Sequence, residues 1–461
     1  MSFTLRTIDP HSKFASQITM QAIEAIIPRA SVEAVLTQQA AWHERERKFS
    51  MVAVVLVLVT MSLYRHLAIG HVIRRLAQGL RFLWPDSTYA VPGASAFSYR
   101  RYQLGVSTME ALFKQVARPL ATRETPGAFL FERRLMALDG TTITLADTLE
   151  NEVAFGRHKT GRGRTAFPQV RCLFLAEAGT HAVIDAGFWP IDTSERLGAR
   201  RLLRSLKPGM LVMWDRGLHS FDLLQAATRQ EADVLSRLPS HVKPEVIGPL
   251  SDGSRLVRLR PSAYHRRKAG EHLVLRLVEY TTTDKTRPGH GERHRLLTTL
   301  LDHEEAPAKE LACAYHERWE VELVIDEIKT HELFSHRLRS QKPVGVLQEL
   351  YGLLLAHFAV RALMHEAALV AEVDPDRLSF THCLRVIGDA MAEFELVAAA
   401  ELPRLYDRLL RDLADVRLPE RRLRSNPRVV KRKMSNFKLK RRKHEHWPQP
   451  TKPFADVVAL I

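Results

Sequence analysis

Apolar positions along this chain recur first at helical spacing, then in short strand-like runs, then at helical spacing again. Residues 1–125 read as helices. SVEAVLTQQAAWHERERKFS repeats apolar residues at helical spacing and runs into Met51–Leu63, MVAVVLVLVTMSL, the most strongly apolar run. That run is shorter than the roughly 18 residues a bilayer span needs and is followed by Arg65 and His66, so a buried core helix is expected. HVIRRLAQGLRFLWP closes another helix at Pro85, and VPGASAFSYRRYQLGVSTMEALFKQVARPL predicts two short helices bearing Arg100 and Arg101. Exposed arginines on small helical units suit DNA binding, and an all-helical packing domain fits the same pattern.

At Arg134 the period changes. Leu135–Leu138 is a short apolar run, Asp139 and Gly140 interrupt it, and Thr141–Leu145 resumes with β-branched residues. An Asp-Gly pair between two strands favours a hairpin turn, and a carboxylate at a strand end is also a rigid position for a metal ligand. FGRHKTGRGRTAFP follows, a flexible basic loop with Arg157, Lys159, Arg162 and Arg164. Its glycines mimic a dinucleotide fingerprint by letter, but no strand precedes them and Pro168 follows, so a phosphate-contacting or merely solvated loop remains. VRCLFLAEAGTHAVIDA predicts a hairpin joined across Glu177–Thr180, TSERLGARRLLRSL an amphipathic helix, and Met210–Trp214 a buried strand that delivers Asp215 at its C-terminal end. Asp215 could cap the next helix, HSFDLLQAATRQ, but Ser220 fits that cap better. Residues 230–305 are again strand-rich and basic, with Arg258, Arg260, Arg266, Arg267 and Lys268, and read as an inserted β subdomain.

Ala314–Thr330, AYHERWEVELVIDEIKT, then reads as one helix. At roughly 100° per residue, Tyr315, Arg318, Glu322 and Lys329 fall within an arc of about 60°. Asp326 lies four residues beyond Glu322, and two like charges at that spacing repel unless a cation relieves them. A solvated face with an Arg318–Glu322 ion pair is the plainer alternative. Val346–Val370 predicts a buried helix, interrupted by Glu349, His357, Arg361, His365 and Glu366, which argues against a membrane span. Residues 376–423 look helical and amphipathic.

Charge changes the picture most. The 461 residues hold 68 Lys and Arg against 52 Asp and Glu, a net charge of +16, which points to a polyanionic partner. Arg421–Lys443 alone carries 12 Lys or Arg and no acid, a run expected to meet nucleic acid or to serve as a solubility tail. The 3 cysteines, Cys172, Cys313 and Cys383, are too scattered for a zinc or disulfide framework and fit a cytoplasmic protein. No signal peptide and no membrane partner are expected.

Three acids stand apart: Asp139, Asp215 and Glu322. Hard carboxylate oxygens suit Mg²⁺, and paired ions can activate a nucleophile and stabilise a leaving oxygen of a phosphodiester. The segment around Glu322 matches the Tyr-x2-Arg-x3-Glu-x6-Lys signature of one large group of bacterial insertion-sequence DDE transposases, through Tyr315, Arg318, Glu322 and Lys329. ALDGTTITLAD looks like the family's first-aspartate motif and MLVMWDRGLHSFDLL like its second, so the resemblance covers residues 20–370.

The resemblance implies an α/β fold: a ribonuclease H-like catalytic core with a β-rich insertion, preceded by a helical N-terminal domain. The implied boundaries are a DNA-binding N-terminal domain at 1–125, core at 126–229, insertion at 230–305, core helices with the third carboxylate at 306–370, and a helical C-terminal region with a basic tail at 371–461. It implies that Asp139, Asp215 and Glu322 bind two Mg²⁺ ions, with Mn²⁺ as a substitute. Tyr315, Arg318 and Lys329 would grip end-DNA phosphates, joined by Arg162 and Arg164 of the basic loop. The partners expected are double-stranded DNA, as transposon ends and target, and a second copy of the chain in a homodimer. The alternatives are a ribonuclease H-like nuclease that cuts without joining and a catalytically inactive DNA-binding relative. Trp214 and Trp319 are candidates for holding a flipped base.

Overall fold

The computed structural model describes residues 17–461, except 18, 43–48, 87, 161–162, 262–270, 288–289, 319, 334–337, 420–448 and 451. The tail at 421–443, Arg162, Arg266, Arg267, Lys268 and Trp319 therefore lie outside the described residues. Seven helices come first: α1 Gln21–Glu24, α2 Arg29–Gln38, α3 Met51–Leu63, α4 Ile69–Leu76, α5 Gln78–Leu83, α6 Ala94–Leu104 and α7 Ser107–Val116. Then follow β1 Phe129–Leu130, β2 Arg133–Thr144, α8 Leu149–Phe155, β3 Lys159–Thr160, β4 Gly163–Arg164, β5 Gln169–Glu177, β6 Val183–Pro190 and α9 Glu195–Leu202. The strand-rich stretch holds β7 Met210–Trp214, α10 Phe221–Thr228, β8 Asp233–Arg237, β9 Glu245–Pro249, β10 Arg255–Leu259, β11 Leu273–Thr282 and β12 His294–Thr298. The chain closes with α11 Ala308–Glu317, α12 Glu320–Asp326, α13 Pro343–Val370, α14 Phe380–Leu396, α15 Leu402–Ala414, α16 Phe454–Val457 and β13 Val458–Leu460.

Two compact units divide these elements. The first gathers residues up to Phe129, Ala137–Ser205 and Glu320–Leu418. Its centre is α3, every residue of which is buried, as its unbroken apolar sequence requires. Ser50 caps α3 by accepting the Ala53 N–H. Helix α13 lies against α3 because Gly352 has no side chain: a Cβ there would come within 2.6 Å of the Leu58 carbonyl oxygen. Although α13 is long and apolar enough to span a bilayer, 83% of its most apolar window is buried in the protein. Strands β5 and β6 form the expected antiparallel hairpin, pairing Leu173 with Gly187.

The second unit gathers Leu130–Met136, Leu206–Trp319 and residues from Pro419 onward. Strand β7 pairs in parallel with β8, and β8, β12, β11, β10 and β9 continue antiparallel, so the sheet is mixed. The short β13 pairs with the end of β11. Strand β2 contributes its first residues to this unit and its remainder to the first.

Four expectations are corrected. Asp139 and Gly140 do not make a turn but sit inside the single strand β2. Gly140 serves close approach instead, since a Cβ there would meet Leu173 Cγ at 3.3 Å and the Cys172 carbonyl at 3.4 Å. The basic loop contains a small antiparallel ladder, Lys159 with Arg164 and Thr160 with Gly163. Arg100 and Arg101 are buried, each 5% exposed, and Arg101 donates to the Gly345 carbonyl at 2.7 Å and Gln348 Oε1 at 3.1 Å. They hold the helices together rather than facing a ligand. The fourth correction concerns the segment around Glu322.

Candidate active site

Ala314–Thr330 is not one helix. Helix α11 ends at Glu317, Arg318 turns, α12 restarts at Glu320, and a π-helical turn runs over Glu327–Glu332. Such wide turns are costly and cluster at functional sites. Tyr315 and Arg318 fall in the second unit, and Glu322 and Lys329 in the first.

In the second unit, the buried run of β7 ends where the chain turns at Asp215, half-buried beside exposed Arg216 and Gly217. Asp215 Oδ1 accepts the N–H groups of Gly217 at 2.7 Å and Leu218 at 3.3 Å, which fixes the carboxylate. Ser220 caps α10 by accepting the Leu223 N–H, so Asp215 is not spent on that task. Tyr315 donates its hydroxyl to the carbonyl of Trp214, the residue before Asp215, at 3.2 Å. Burial pushes the Tyr315 phenol well above its ordinary range, so it remains a donor. The guanidinium of buried Arg318 stacks 5.8 Å from the Tyr315 ring. Trp214 is fully buried, which removes it as a base-holding aromatic in this conformation.

In the first unit, Asp139 lies half-buried in β2, and Oδ1 accepts the Gly140 N–H at 2.7 Å. Thr141, two residues on, shares Asp139's side of the strand. Lys329 Nζ donates to Thr141 Oγ1 at 3.0 Å, bringing an ammonium group onto that side. Glu322 and Asp326 are both exposed, and Asp326 accepts the Thr330 hydroxyl at 2.5 Å. Arg164 is exposed and faces Glu152 at 3.7 Å.

A charged core surrounds Glu327. Glu327, 7% exposed, accepts from Arg361 through both oxygens, 2.9 Å for Nε, and meets His357 Nε2 at 3.0 Å. His181 bridges Glu327 and Glu320, each at 2.9 Å, with Asp376 at 3.5 Å. Burial and the Arg361 charge oppose protonation of His181, yet Asp376, Glu327 and Glu320 outweigh them and lift its pKa to about 9. Burial alone would raise the Glu327 pKa, but Arg361 and His181 hold it well below the ordinary carboxylate range. Glu332 is pushed the other way, by burial and by the Glu327 charge. His181, Glu320 and Asp376 have their ligand atoms within 4.8 Å of one another. The imidazole of that group is held between Glu327 and Glu320, and its mixed donors suit Mg²⁺ less well than three carboxylates do.

Residues 130–359 match the transposase DDE domain family, and residues 17–114 match the insertion element 4 transposase N-terminal family. The chain is 30% identical over 420 residues to the transposase InsG for insertion sequence element IS4 of Escherichia coli (strain K12), covering 89% of this chain and 88% of that one. The chain belongs to the IS4 family of DDE transposases. A putative transposase InsZ of Escherichia coli (strain K12) is 27% identical over 131 residues, 28% of this transposase and 44% of that protein. Among solved structures, a piggyBac transposase synaptic complex with hairpin DNA gives a TM-score of 0.39 at 12% identity, over 90% of this chain and 88% of that one, too distant to carry an argument.

A DDE domain implies a ribonuclease H-like core and a nucleic-acid-cleaving or strand-transferring enzyme that uses divalent metal. What sequence reasoning missed in the transposase is the charged core. Its signal in the sequence was His357 and Arg361, four apart on the otherwise apolar α13 and so on one helix face.

Proposed function

We propose that this transposase binds the terminal inverted repeats of its element, cleaves the element's ends and transfers them into target DNA, with Asp139, Asp215 and Glu322 as the metal-binding acids. The observation that carries the reading is a pair of hydrogen bonds from the two ends of the signature. Tyr315 is fastened to Trp214, next to Asp215, and Lys329 to Thr141, two residues from Asp139. Trp214 ends the strand that leads into Asp215, Thr141 lies on the strand that carries Asp139, and Glu322 stands between Tyr315 and Lys329 in the chain.

The donor set fits Mg²⁺. All three groups are carboxylates, Glu322 is exposed, and the hydrogen bonds that orient Asp215 use Oδ1 and leave Oδ2 for a cation. Two bound Mg²⁺ ions would supply charge stabilisation to the attacking and leaving oxygens of a phosphodiester. The residues' own work is to present these oxygens rigidly: backbone N–H groups fix Asp215, and β2 holds Asp139 within a sheet. End cleavage adds water across one phosphodiester and frees a 3′-hydroxyl; strand transfer exchanges a target phosphodiester for a bond to that hydroxyl. Lys329 and exposed Arg164 would meet DNA phosphates, whereas Tyr315 in the DNA-free chain spends its hydroxyl on Trp214. A homodimer is proposed because two ends must be joined in concert.

The test uses a supercoiled donor plasmid carrying the element's inverted repeats, with Mg²⁺ or with chelator. The expected outcome is Mg²⁺-dependent end cleavage and strand transfer that Glu322→Gln abolishes while end binding persists. Cleavage that survives the substitution, or binding without Mg²⁺-dependent cleavage, would point to a different nuclease centre or an inactive DNA-binding relative.

A further inference from the structure

Between Lys48 and Asp86 the sequence contains no acidic residue, and α4 and α5 lie within that stretch. The two helices meet at Ala77, whose N–H reaches the Ile73 carbonyl and whose carbonyl accepts the Arg81 N–H, each at 3.0 Å, so helical bonding carries across the junction. Val72, Ile73, Leu76, Ala77 and Leu80 are buried. The opposite face carries exposed His71, Arg74, Gln78, Arg81 and Phe82, spaced three, four, three and one apart. At roughly 100° per residue these positions occupy about a third of the helix circumference.

With Leu67 and Arg75 they line a depression of about 530 Å³. Phe82 is 75% exposed, the largest cost on this face for a chain facing only water. Arg75 is spoken for: it packs 5.6 Å from the Tyr64 ring, and Asp389 approaches it at 3.5 Å. Arg74 and Arg81 have no carboxylate partner among the described residues and are exposed to solvent. Arg100 and Arg101, by contrast, are buried and bonded to protein oxygens, whereas this face is open among the described residues.

We propose that the exposed face of α4–α5 is a duplex-DNA contact surface, in which Arg74 and Arg81 hold backbone phosphates and Gln78 reads a base edge. The width of a helix matches a major groove of about 12 Å, guanidinium groups suit phosphate oxygens, and a Gln amide can pair with both polar atoms of an adenine edge. Phe82 supplies apolar contact of the kind a thymine methyl accepts. The inference rests on the proposed DNA-end binding and adds to it the element and side chains that do the reading.

The test measures binding of the full chain to a labelled duplex of the element's end and to a scrambled duplex of equal length, across a salt series. All substituted side chains are exposed, and melting temperatures within about 2 °C of the parent confirm folding. Arg74→Ala combined with Arg81→Ala should weaken binding to both duplexes at least tenfold and reduce the salt slope by about 2. Gln78→Ala should lower the preference for the end duplex at least fivefold and leave the scrambled duplex unaffected. Unchanged affinity and slope in the double variant, with the parent binding normally, overturns the surface while sparing the proposed function. Unchanged preference in Gln78→Ala overturns the reading role. A parent chain that binds neither duplex removes the DNA-end reading and this inference with it.

Discussion

Glu322 and Glu327 lie five residues apart in one stretch of chain, and the fold treats them in opposite ways. Glu322 is exposed, whereas Glu327 is buried among Arg361, His181 and His357. At roughly 100° per residue an offset of five is about 140°, so the helix itself turns Glu322 and Glu327 to nearly opposite faces. A carboxylate meant for an external cation must keep its oxygens accessible; one that holds elements together must surrender them to protein donors. Spacing puts the two acids on different faces, and the partners on each side decide which of them is buried.

The largest effect is expected at Glu327. Glu327→Ala leaves Arg361 as a buried charge without its carboxylate and should cost about 3–5 kcal/mol of stability, read from denaturant unfolding. Glu322→Gln, at an exposed position, should move stability by less than about 0.5 kcal/mol. Equal losses in the two variants would erase the distinction.

The pH dependence of His181 gives a smaller effect. Its folded pKa is raised to about 9 from an ordinary value near 6.5, so its stabilising contribution is complete below about 6.5 and lost as pH rises through 9. Melting followed from pH 6.5 to 9.5 should show a loss on the order of 2 kcal/mol, and His181→Gln should flatten that slope. Lys329→Ala, which removes the bond to Thr141, should cost about 1 kcal/mol of stability and lower strand transfer at least tenfold. The smallest effect is expected at the exposed Arg408–Glu393 pair, where Glu393→Ala should cost under about 0.5 kcal/mol and leave strand transfer unchanged.

Much of the local structure around the proposed acids was legible because local patterns carried it. The continuous run before Asp215 made a buried strand, and Ser220 in cap position freed Asp215 from that duty. Asp139 was legible as a residue of interest but not as a mid-strand one. The Asp-Gly pair favours a turn locally, and only the neighbouring Leu173 and Cys172 show that Gly140 is needed for strand approach. The turn at Arg318 was hidden because apolar spacing continues on either side of it. Arg100 and Arg101 looked like ligand-facing charges because their partners, Phe49, Ser340, Gly345 and Gln348, lie far off in the chain. The same holds for His181 and Glu327, 146 residues apart, whose pairing no periodicity encodes. Strand β9 went unread because it is mostly exposed and ends in Gly248 and Pro249, and β13 because three residues leave little pattern to detect.

Direct binding of the metal ions by Asp139, Asp215 and Glu322, as proposed, is tested by exchange of ligand chemistry. Each acid is replaced in turn by Cys, and strand transfer is measured with Mg²⁺ and with Mn²⁺. A thiolate is a poor ligand for hard Mg²⁺ and a better one for the softer Mn²⁺. The account predicts that the Cys variants lose activity with Mg²⁺ and regain a measurable part with Mn²⁺, while Glu327→Cys shows no such switch. Full activity of Glu322→Cys with Mg²⁺, or metal rescue at Glu327 and at none of the three acids, would contradict it.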